Sequence, residues 1–588
     1  YLQFKDNSTS VSVSTITVMS SDKGYLCDVL IVTFNWSNFN IIMVHSNGKA
    51  CQVQVLNMNA QLEIEECSEV YSTSMAGKKD DNQKVEFSLR QFLYFVGPGF
   101  LMSIAYLDPG NIESDLQSGT VAQYKLLWLL LTATVIGFFM QRLSSRLGVV
   151  TGKHLAEVCH DVYPRVPRLL LWMMMEIAII GSDMQEVIGS ALAIYILSSK
   201  IIPLWGGVLI TILDTFTLLF LDTYGLRKLE TLFAFLILVM GCMFGYEYVM
   251  EKPDQLEVLK GMFIPGCRNC DKEAILQAIG IIGAVIMPHN LYLHSGLVKS
   301  RDIERQNPAR VKEANMYFFI ESAISLLVSF IINVFVMAVF ASTLFGVTNN
   351  QAISLCEQNN VTTFIDAFPI SDDVIDIDIY KGGVYLGCKF GPTATYIWAV
   401  GILAAGQSST MTGTYAGQFV MEGFLNLNWP RWKRILFTRS VAILPTFLLA
   451  QFASISDMSS LNDILNAIMS IQLPFSIIPL LTLTSSASVM KQFKNSKFSV
   501  LFTSIVSFAV IVINVYFFVG FLGENMKHVW YIIFIVVIYG FFYFSFIFYL
   551  GVCLLEALGC RVFEKVKFIP IHLMPTFDEF QTLKDEKM

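Results

Sequence analysis

The sequence predicts an all-α polytopic membrane protein with about 12 transmembrane helices, arranged as an inverted 5+5 repeat in which helices 1 and 6 are broken. Hydrophobic residues make up 54% of the 588 residues and charged residues only 15%, which excludes an ordinary water-soluble protein. Apolar runs of spanning length recur along the chain. Two of these runs are interrupted by a proline and polar side chains, 179 residues apart. The net charge of −7, without a long basic run, gives no indication of nucleic acid as a partner.

Twelve apolar runs are long enough to cross a bilayer. The two interrupted runs each begin a set of five, and because five is odd, the second set enters the membrane from the opposite side. The runs lie at about 92–121, 126–145, 169–197, 201–221, 231–250, 275–298, 316–344, 393–415, 436–453, 461–483, 498–522 and 529–553.

These runs set the predicted domain organisation. A membrane domain at 86–560 follows an extension at 1–85 and precedes a tail at 561–588. Within the membrane domain, repeat 1 covers about 92–250, repeat 2 covers about 275–483, and helices 11 and 12 cover about 498–553.

The distribution of Lys and Arg predicts the orientation. One set of short loops holds 18 of these residues and the opposite set holds 9. Because positively charged loops remain inside, we expect both termini to be cytoplasmic. The sequon at Asn360 then lies in the long outer loop between helices 7 and 8, where Asn360 is a glycosylation candidate.

The extension at 1–85 has no sustained helical period. It begins with Tyr1 rather than Met, so we expect a fragment or an imperfect gene model, and we predict a disordered cytoplasmic segment. Four cysteines fall in predicted outer loops, where disulfides are plausible and free thiols are the alternative. Their pairing stays open among Cys267, Cys270, Cys356 and Cys388.

The two interruptions indicate one buried polar site. Asp108-Pro109-Gly110-Asn111 and Met287-Pro288-His289-Asn290 each place a proline inside an apolar run. Proline has no N–H, so the carbonyls of Ala105 and Ala284 lose their helical donors. Freed backbone groups are tolerated at membrane depth only where protein or a water-filled cavity satisfies them.

The residue types at the interruptions favour a divalent transition metal. Asp108, Asn111 and the Ala284 carbonyl supply hard oxygens, and Met287 supplies a thioether, a mixture that suits Mn²⁺ or Fe²⁺ better than Ca²⁺, Mg²⁺ or Cu(I). Inserting a carboxylate at mid-membrane costs about 2.5–3.5 kcal/mol of free energy, so we expect Asp108 to have a binding partner or a functional role. The alternatives are that Met287 only packs in the core and that Asn111 is a helix N-cap.

Further titratable residues predict a proton pathway. The third run carries Glu176, Asp183 and Glu186, and the last two share a helical face, where their mutual repulsion favours proton binding. Arg439 in the ninth run is the natural counter-charge. A static ion-pair lattice is the alternative.

Two histidines after the second interruption, His289 and His294, could relay protons or simply pack. For Asp214, Glu321 and Asn333 we predict structural hydrogen bonds.

Four stretches are distinctive as motifs, namely Gly97–Phe100 with Asp108–Asp115, Gly181–Glu186, Met287–Asn290 and Gly406–Gly413. They resemble the Nramp family, specifically the animal divalent metal transporters, and the resemblance covers about residues 85–560. It implies a LeuT-type fold and a metal site formed by Asp108, Asn111, the Ala284 carbonyl and Met287. It also implies that Gln472 joins the site in one conformation, and that the acids of the third helix with Arg439 form a proton-exit network.

We therefore predict a proton-coupled symporter that imports Fe²⁺ or Mn²⁺ by alternating access, with metal ions and protons as substrates and no cofactor. Asp108 serves as both metal ligand and proton acceptor, because a nearby dication displaces its proton. The bilayer is that of the plasma membrane or of endosomes and lysosomes. The alternatives are a Na⁺-coupled amino-acid carrier of the same fold and a non-transporting metal receptor. No nucleophile or catalytic constellation indicates an enzyme.

Overall fold

The structure of the protein is a computed structural model. Contacts divide the chain into two units, Tyr1–Val85 and Glu86–Met588. The structure describes residues 13–17, 29–35, 38–46, 51–57, 60–66, 88–211, 226–267, 270, 272–359, 361, 364–426, 431–452, 455–525 and 530–558.

The first unit contains a five-stranded antiparallel sheet in which each strand pairs with the next along the chain. Runs rich in Val, Ile and Thr suit a pleated sheet. The sequence reasoning predicted disorder and no strands here, because these short β-branched runs carry no helical period. The strands are β1 Val13–Thr17, β2 Val29–Asn35, β3 Asn38–Ser46, β4 Cys51–Asn57 and β5 Ala60–Glu66.

The second unit is helical, and each of the twelve predicted runs overlaps a helix, although the run at 201–221 is described only to residue 211. Seven segments of the described residues are long and apolar enough to cross a membrane. The helices are α1 Leu89–Phe95, α2 Pro98–Ile104, α3 Pro109–Ala122, α4 Leu127–Thr151, α5 Leu155–Val162, α6 Arg165–Leu197, α7 204–211, α8 Leu226–Glu251, α9 Gln255–Phe263, α10 Lys272–Ile286, α11 Pro288–Leu297, α12 Pro308–Thr343, α13 Asn349–Gln358, α14 Ile379–Phe390, α15 Pro392–Leu425, α16 Arg431–Phe452, α17 Ile455–Gln472, α18 Pro474–Ser485, α19 Ala487–Met490, α20 Lys497–Asn525 and α21 Trp530–Ala557.

Both predicted helix breaks are confirmed. The first run stops at the end of α2 and resumes as α3, whose first residue is Pro109. The second run stops at the end of α10 and resumes as α11, whose first residue is Pro288. Proline fits the first turn of a helix, where its missing N–H costs no hydrogen bond.

The tenth predicted span contains a further irregularity, which the sequence reasoning did not anticipate. Helix α17 ends at Gln472, and α18 begins at Pro474. The backbone N–H of Leu473 donates to the carbonyl of Ser470 at 3.2 Å, a tighter turn than an α-helix makes. Gln472 therefore lies at a kink.

Glu321 of α12 satisfies the backbone at the start of α2. Its Oε1 accepts hydrogen bonds from the N–H groups of Gly97 at 2.5 Å and Gly99 at 2.9 Å. A carboxylate at a helix N-terminus also complements the helix dipole. The predicted structural role of Glu321 is confirmed.

Asn333 of α12 performs the equivalent task in the first break. Its Nδ2 donates to the carbonyl of Tyr106 at 3.1 Å, and the hydroxyl of Tyr106 accepts from Gln141 of α4 at 3.0 Å. The unwound segment is thus held by side chains on two neighbouring helices. Asp214 lies outside the described residues.

Two disulfides lie in the segments between the predicted spans, and the sequence left their pairing open. Cys356 of α13 is bonded to Cys388 of α14, and Cys267 is bonded to Cys270. The candidate glycosylation residue Asn360 lies outside the described residues.

Replacing Glu321 by Ala should lower the thermal stability of the purified protein, because two buried N–H groups lose their acceptor. Each group left unsatisfied costs about 1–3 kcal/mol. Thermal unfolding in detergent measures the effect. Glu257→Ala is the control, because Glu257 is half-exposed and pairs with the exposed Lys260. Equal melting temperatures for the two variants would show that the cap does not stabilise the fold.

Candidate functional site

Asp108 lies at the first break and is fully buried. It is the N-cap of α3, and its Oδ1 accepts from the backbone N–H of Asn111 at 2.9 Å and from Asn111 Nδ2 at 2.6 Å. Its other oxygen, Oδ2, has no hydrogen-bond partner among the described residues. A buried carboxylate oxygen without a donor is costly, so this atom is suited to bind a cation or a proton.

Asn111 is not the N-cap of α3, which was one predicted alternative for this residue. The N-cap of α3 is Asp108, and Asn111 is the residue that donates to this cap. Because Asn111 uses its amide nitrogen here, its amide oxygen is not engaged by Asp108. The pair therefore presents one carboxylate oxygen and one amide oxygen for other partners.

Met287 lies at the second break in a strained backbone conformation, with φ 31° and ψ 112°. A non-glycine residue with positive φ costs about 1–3 kcal/mol and tends to occur at functional sites. Met287 is 1% exposed and Ala284 is fully buried. Pro288 has no N–H to offer the Ala284 carbonyl.

Close helix packing brings the two breaks into one region. Helix α3 contacts α10, α17 and α6. Gly283 of α10 lies directly against the backbone carbonyl of Asn466 on α17. At Gly110, a Cβ atom would lie 2.7 Å from Gln185 Oε1 of α6, so any side chain there would displace the Gln185 amide.

Gln185 links the first break to α17. Its Nε2 donates to Asn466 Oδ1 at 2.8 Å, while its Oε1 has no hydrogen-bond partner among the described residues. The sequence reasoning gave Gln185 and Asn466 no role. Gln185 could have been found, because it lies between the predicted proton carriers Asp183 and Glu186.

Two further polar residues near the breaks were missed. Asp115 lies two turns after Asp108 on α3, and its carboxylate interacts electrostatically with Asp108. Asn290 of α11 is 1% exposed, and neither amide atom has a hydrogen-bond partner among the described residues. Its position beside Met287 in the polar interruption was the available signal.

Asp183 and Glu186 lie together on α6 against α15. Ser409 Oγ donates to Glu186 Oε1 at 2.7 Å. A Cβ atom at Gly413 would lie 2.9 Å from Asp183 Oδ1 and 3.2 Å from Glu186 Oε1. Glu186 also interacts electrostatically with Asp108, which connects the carboxylate pair to the first break.

The other predicted proton-pathway residues are less closely connected. Glu176 is half-buried and accepts a hydrogen bond from Trp172 Nε1 at 2.8 Å, two turns before Asp183. The Arg439 side chain lies outside the described residues. His289 and His294 of α11 are both buried, and His289 Nδ1 has no hydrogen-bond partner in the described part of the chain.

Gln472 is 2% exposed, and its Oε1 has no hydrogen-bond partner among the described residues. It lies on α17, which contacts both α3 and α10. Within the described ranges, no three His, Cys, Asp or Glu residues form a metal-binding group. An ion at the breaks would therefore depend on amide, carbonyl and thioether ligands besides Asp108.

Comparison with known proteins identifies the family. The family model described as "Natural resistance-associated macrophage protein-like", Nramp, matches residues 99–520. The chain is 56% identical over 506 residues to Protein Malvolio of Drosophila melanogaster, with 85% of each chain covered. It is 60% identical over 473 residues to Natural resistance-associated macrophage protein 2 of Mus musculus, which covers 80% of this chain and 83% of the relative.

A solved structure shows the same architecture. A mutant of the Eremococcus coleocola manganese transporter matches with a TM-score of 0.67 and 28% identity, covering 82% of this chain and 98% of that chain. This match confirms the predicted LeuT-type fold. Since the family model spans more than half of the chain and the curated relatives are more than half identical to it, the chain belongs to the Nramp family.

Proposed function

We propose that the protein is a proton-coupled symporter that imports Fe²⁺ or Mn²⁺ across a membrane by alternating access. The observation that carries this proposal is the buried, unpartnered Oδ2 of Asp108 at a helix break. The manganese transporter that shares the fold supports it. The match to the Nramp family and its curated members also favours a transporter over an enzyme.

The proposed metal ligands are Asp108 Oδ2, the Asn111 amide oxygen, the Ala284 carbonyl and the Met287 sulfur. The three oxygen ligands can coordinate any divalent cation, whereas the sulfur favours first-row transition metals over Ca²⁺ and Mg²⁺. Gln472, at the kink between α17 and α18, is a further ligand in one conformation of the transport cycle.

The proposed proton pathway begins at Asp108. A dication bound there displaces the proton electrostatically, and this coupling links the two fluxes. Glu186 and Asp183 then provide the next carboxylates, and Glu176 and Arg439 extend the path. His289 and His294 lie on the helix that follows Met287 and complete the set of candidate proton carriers.

The proposal also covers the membrane environment. The chain lies in the plasma membrane or in endosomal and lysosomal membranes with both termini in the cytoplasm, as the distribution of Lys and Arg indicates. Metal ions, protons and lipid are its partners.

A Na⁺-coupled amino-acid carrier is the rival of the same fold. Such a carrier holds a substrate carboxylate at the half-helix N-termini, and Asp108 would repel that carboxylate. A metal receptor is the rival from another class, and it would bind metal without moving it.

Uptake of Mn²⁺ and Fe²⁺ into proteoliposomes with an imposed pH gradient tests the proposal. We expect uptake that rises when the outside is acidic and internal acidification that accompanies the metal. Metal binding without uptake would support the receptor, and metal-independent uptake of an amino acid with Na⁺ would support the carrier.

Replacing Asp108 by Ala should abolish both metal uptake and metal-driven proton flux, because one carboxylate serves as ligand and proton acceptor. Calorimetry and proteoliposome uptake measure the two effects. The control is Asp372→Ala, which removes an exposed carboxylate that accepts a hydrogen bond from Asn350. This variant should leave metal uptake and proton flux unchanged. Wild-type Mn²⁺ affinity in Asp108→Ala would exclude Asp108 as a ligand.

Replacing Met287 by Ala should preserve divalent binding but reduce discrimination against Ca²⁺ and Mg²⁺, because the oxygen ligands remain and the soft ligand is lost. We expect relative affinities to shift by about 1–3 kcal/mol, or roughly ten- to a hundredfold. The measurement is Mn²⁺ uptake in the presence of excess Ca²⁺ or Mg²⁺.

Met140→Ala is the matched control for Met287→Ala, because Met140 is equally buried but lies in the apolar core. It should lose stability without losing selectivity. If Ca²⁺ and Mg²⁺ compete no better in Met287→Ala than in the wild type, Met287 is only a packing residue.

Replacing Gly413 by Ala should impair proton flux more than metal binding. The new methyl group would displace the carboxylate ends of Asp183 and Glu186, which are flexible, so the fold should tolerate the change. Parallel records of internal pH and metal uptake separate the two effects. Gly551→Ala, where a Cβ atom meets nothing within 4 Å, is the control. An unchanged proton flux in Gly413→Ala would remove the carboxylate pair from the pathway.

A further inference from the structure

A second feature of the molecule lies away from the helix breaks. A cavity of about 690 Å³ opens between α4, α12 and the beginning of α20. Its lining includes four cationic side chains and no Asp or Glu. The cations are Arg142, Arg146, Lys312 and Lys494.

The positive charge of this cavity is not neutralised by the carboxylates that the structure describes. Among the described residues, none of these four side chains forms an ion pair with a carboxylate. Arg142 and Arg146 are close enough to repel each other. The one acid adjacent to Lys312 in sequence, Glu313, pairs instead with Arg310 at 2.9 Å. Concentrated positive charge of this kind attracts an anion.

Two of the four cations, Arg142 and Arg146, are also held in place. Arg146 donates to Asn495 Oδ1 at 3.2 Å and to the Phe493 carbonyl. The Arg142 guanidinium lies 5.0 Å from the centre of the Phe319 ring, a cation–π contact that orients it over the cavity wall. Because these contacts fix the side chains in advance, an anion loses less free energy in ordering them.

Polar atoms beside the cations suit a ligand that carries hydroxyl groups. Asn315 lines the cavity, and its Oδ1 is buried without a hydrogen-bond partner among the described residues. This atom accepts hydrogen bonds only, so it suits a hydroxyl donor. Ser496 and Ser499 at the start of α20 also line the cavity, where the helix dipole favours negative charge.

An apolar surface continues from the cavity along α20. Phe498, Leu501 and Ile505 are 72%, 60% and 59% exposed, and their spacing places them on one face of the helix. A ligand with a charged head and an apolar tail would fit both parts. The loops rich in Lys and Arg assign this end of the helices to the cytoplasmic leaflet, which holds the anionic lipids.

We propose that this cavity binds a phosphoinositide of the cytoplasmic leaflet. The phosphates contact Arg142, Lys312 and Lys494, an inositol hydroxyl donates to Asn315, and the acyl chains lie along α20. The site is independent of metal binding, since none of the proposed metal ligands or proton carriers lines it.

Binding of a fluorescent phosphatidylinositol bisphosphate to the full-length protein in phosphatidylcholine nanodiscs tests the proposal. The double variant Arg142→Gln with Lys312→Gln should bind roughly twenty-five-fold more weakly, because each cation near an anionic membrane surface contributes about a fivefold gain in affinity. Arg165→Gln removes an exposed cation that does not line the cavity and should bind as the wild type does.

Three results would overturn the proposal. The first is wild-type affinity in the double variant when its lipid-free melting temperature is also unchanged. The second is equal binding of phosphatidylserine at matched surface charge, which would show a non-specific charge effect. The third is equally tight binding of soluble inositol trisphosphate, which would identify a site for a free anion rather than for a lipid. A partial loss in Asn315→Leu, with unchanged stability, would support the proposed hydroxyl contact.

Discussion

The structure depends on one constraint, which is that a backbone group released from a helix inside a membrane needs another partner. Pro109 and Pro288 each remove a donor at the depth of the bilayer. Asn333 of α12 meets part of this need by donating to the unwound carbonyl of Tyr106. Glu321 of the same helix caps the backbone N–H groups at the start of α2. What these partners leave unsatisfied, above all Asp108 Oδ2, is what a transported ion can use.

Glycines allow the helices around the breaks to pack closely. Gly110, Gly283 and Gly413 each lie where a side chain would meet a polar group of a neighbouring helix. They let α3, α10 and α15 approach closely enough for Gln185, the α17 backbone and the α6 carboxylates to reach their neighbours. Close backbone approach through small residues is a general device in membrane helix packing. Here it also places charged side chains.

Features that depend on local chemistry could be predicted from the sequence. A proline beside polar side chains in an apolar run identifies a broken helix without knowledge of the fold, and both breaks were found. Features that depend on distant residues could not. Glu321 and Gly97 are separated by more than two hundred positions, as are Gln185 and Asn466. The kink at Gln472 was missed because Pro474 follows a long apolar run that reads as continuous. The β-strands were not predicted because they lie outside the apolar runs of spanning length, on which the prediction depended.

The burial of Met287 has a consequence for oxidative damage. Peroxide converts an accessible thioether into a sulfoxide, whose oxygen is a hard ligand rather than a soft one. A protein that carries iron past this sulfur would expose it to the very metal that generates oxidants. At 1% exposure the Met287 side chain is shielded from oxidants in the solvent. Under the proposed function, oxidation of this sulfur would remove the soft ligand and alter the metal preference of the site, and burial protects that preference.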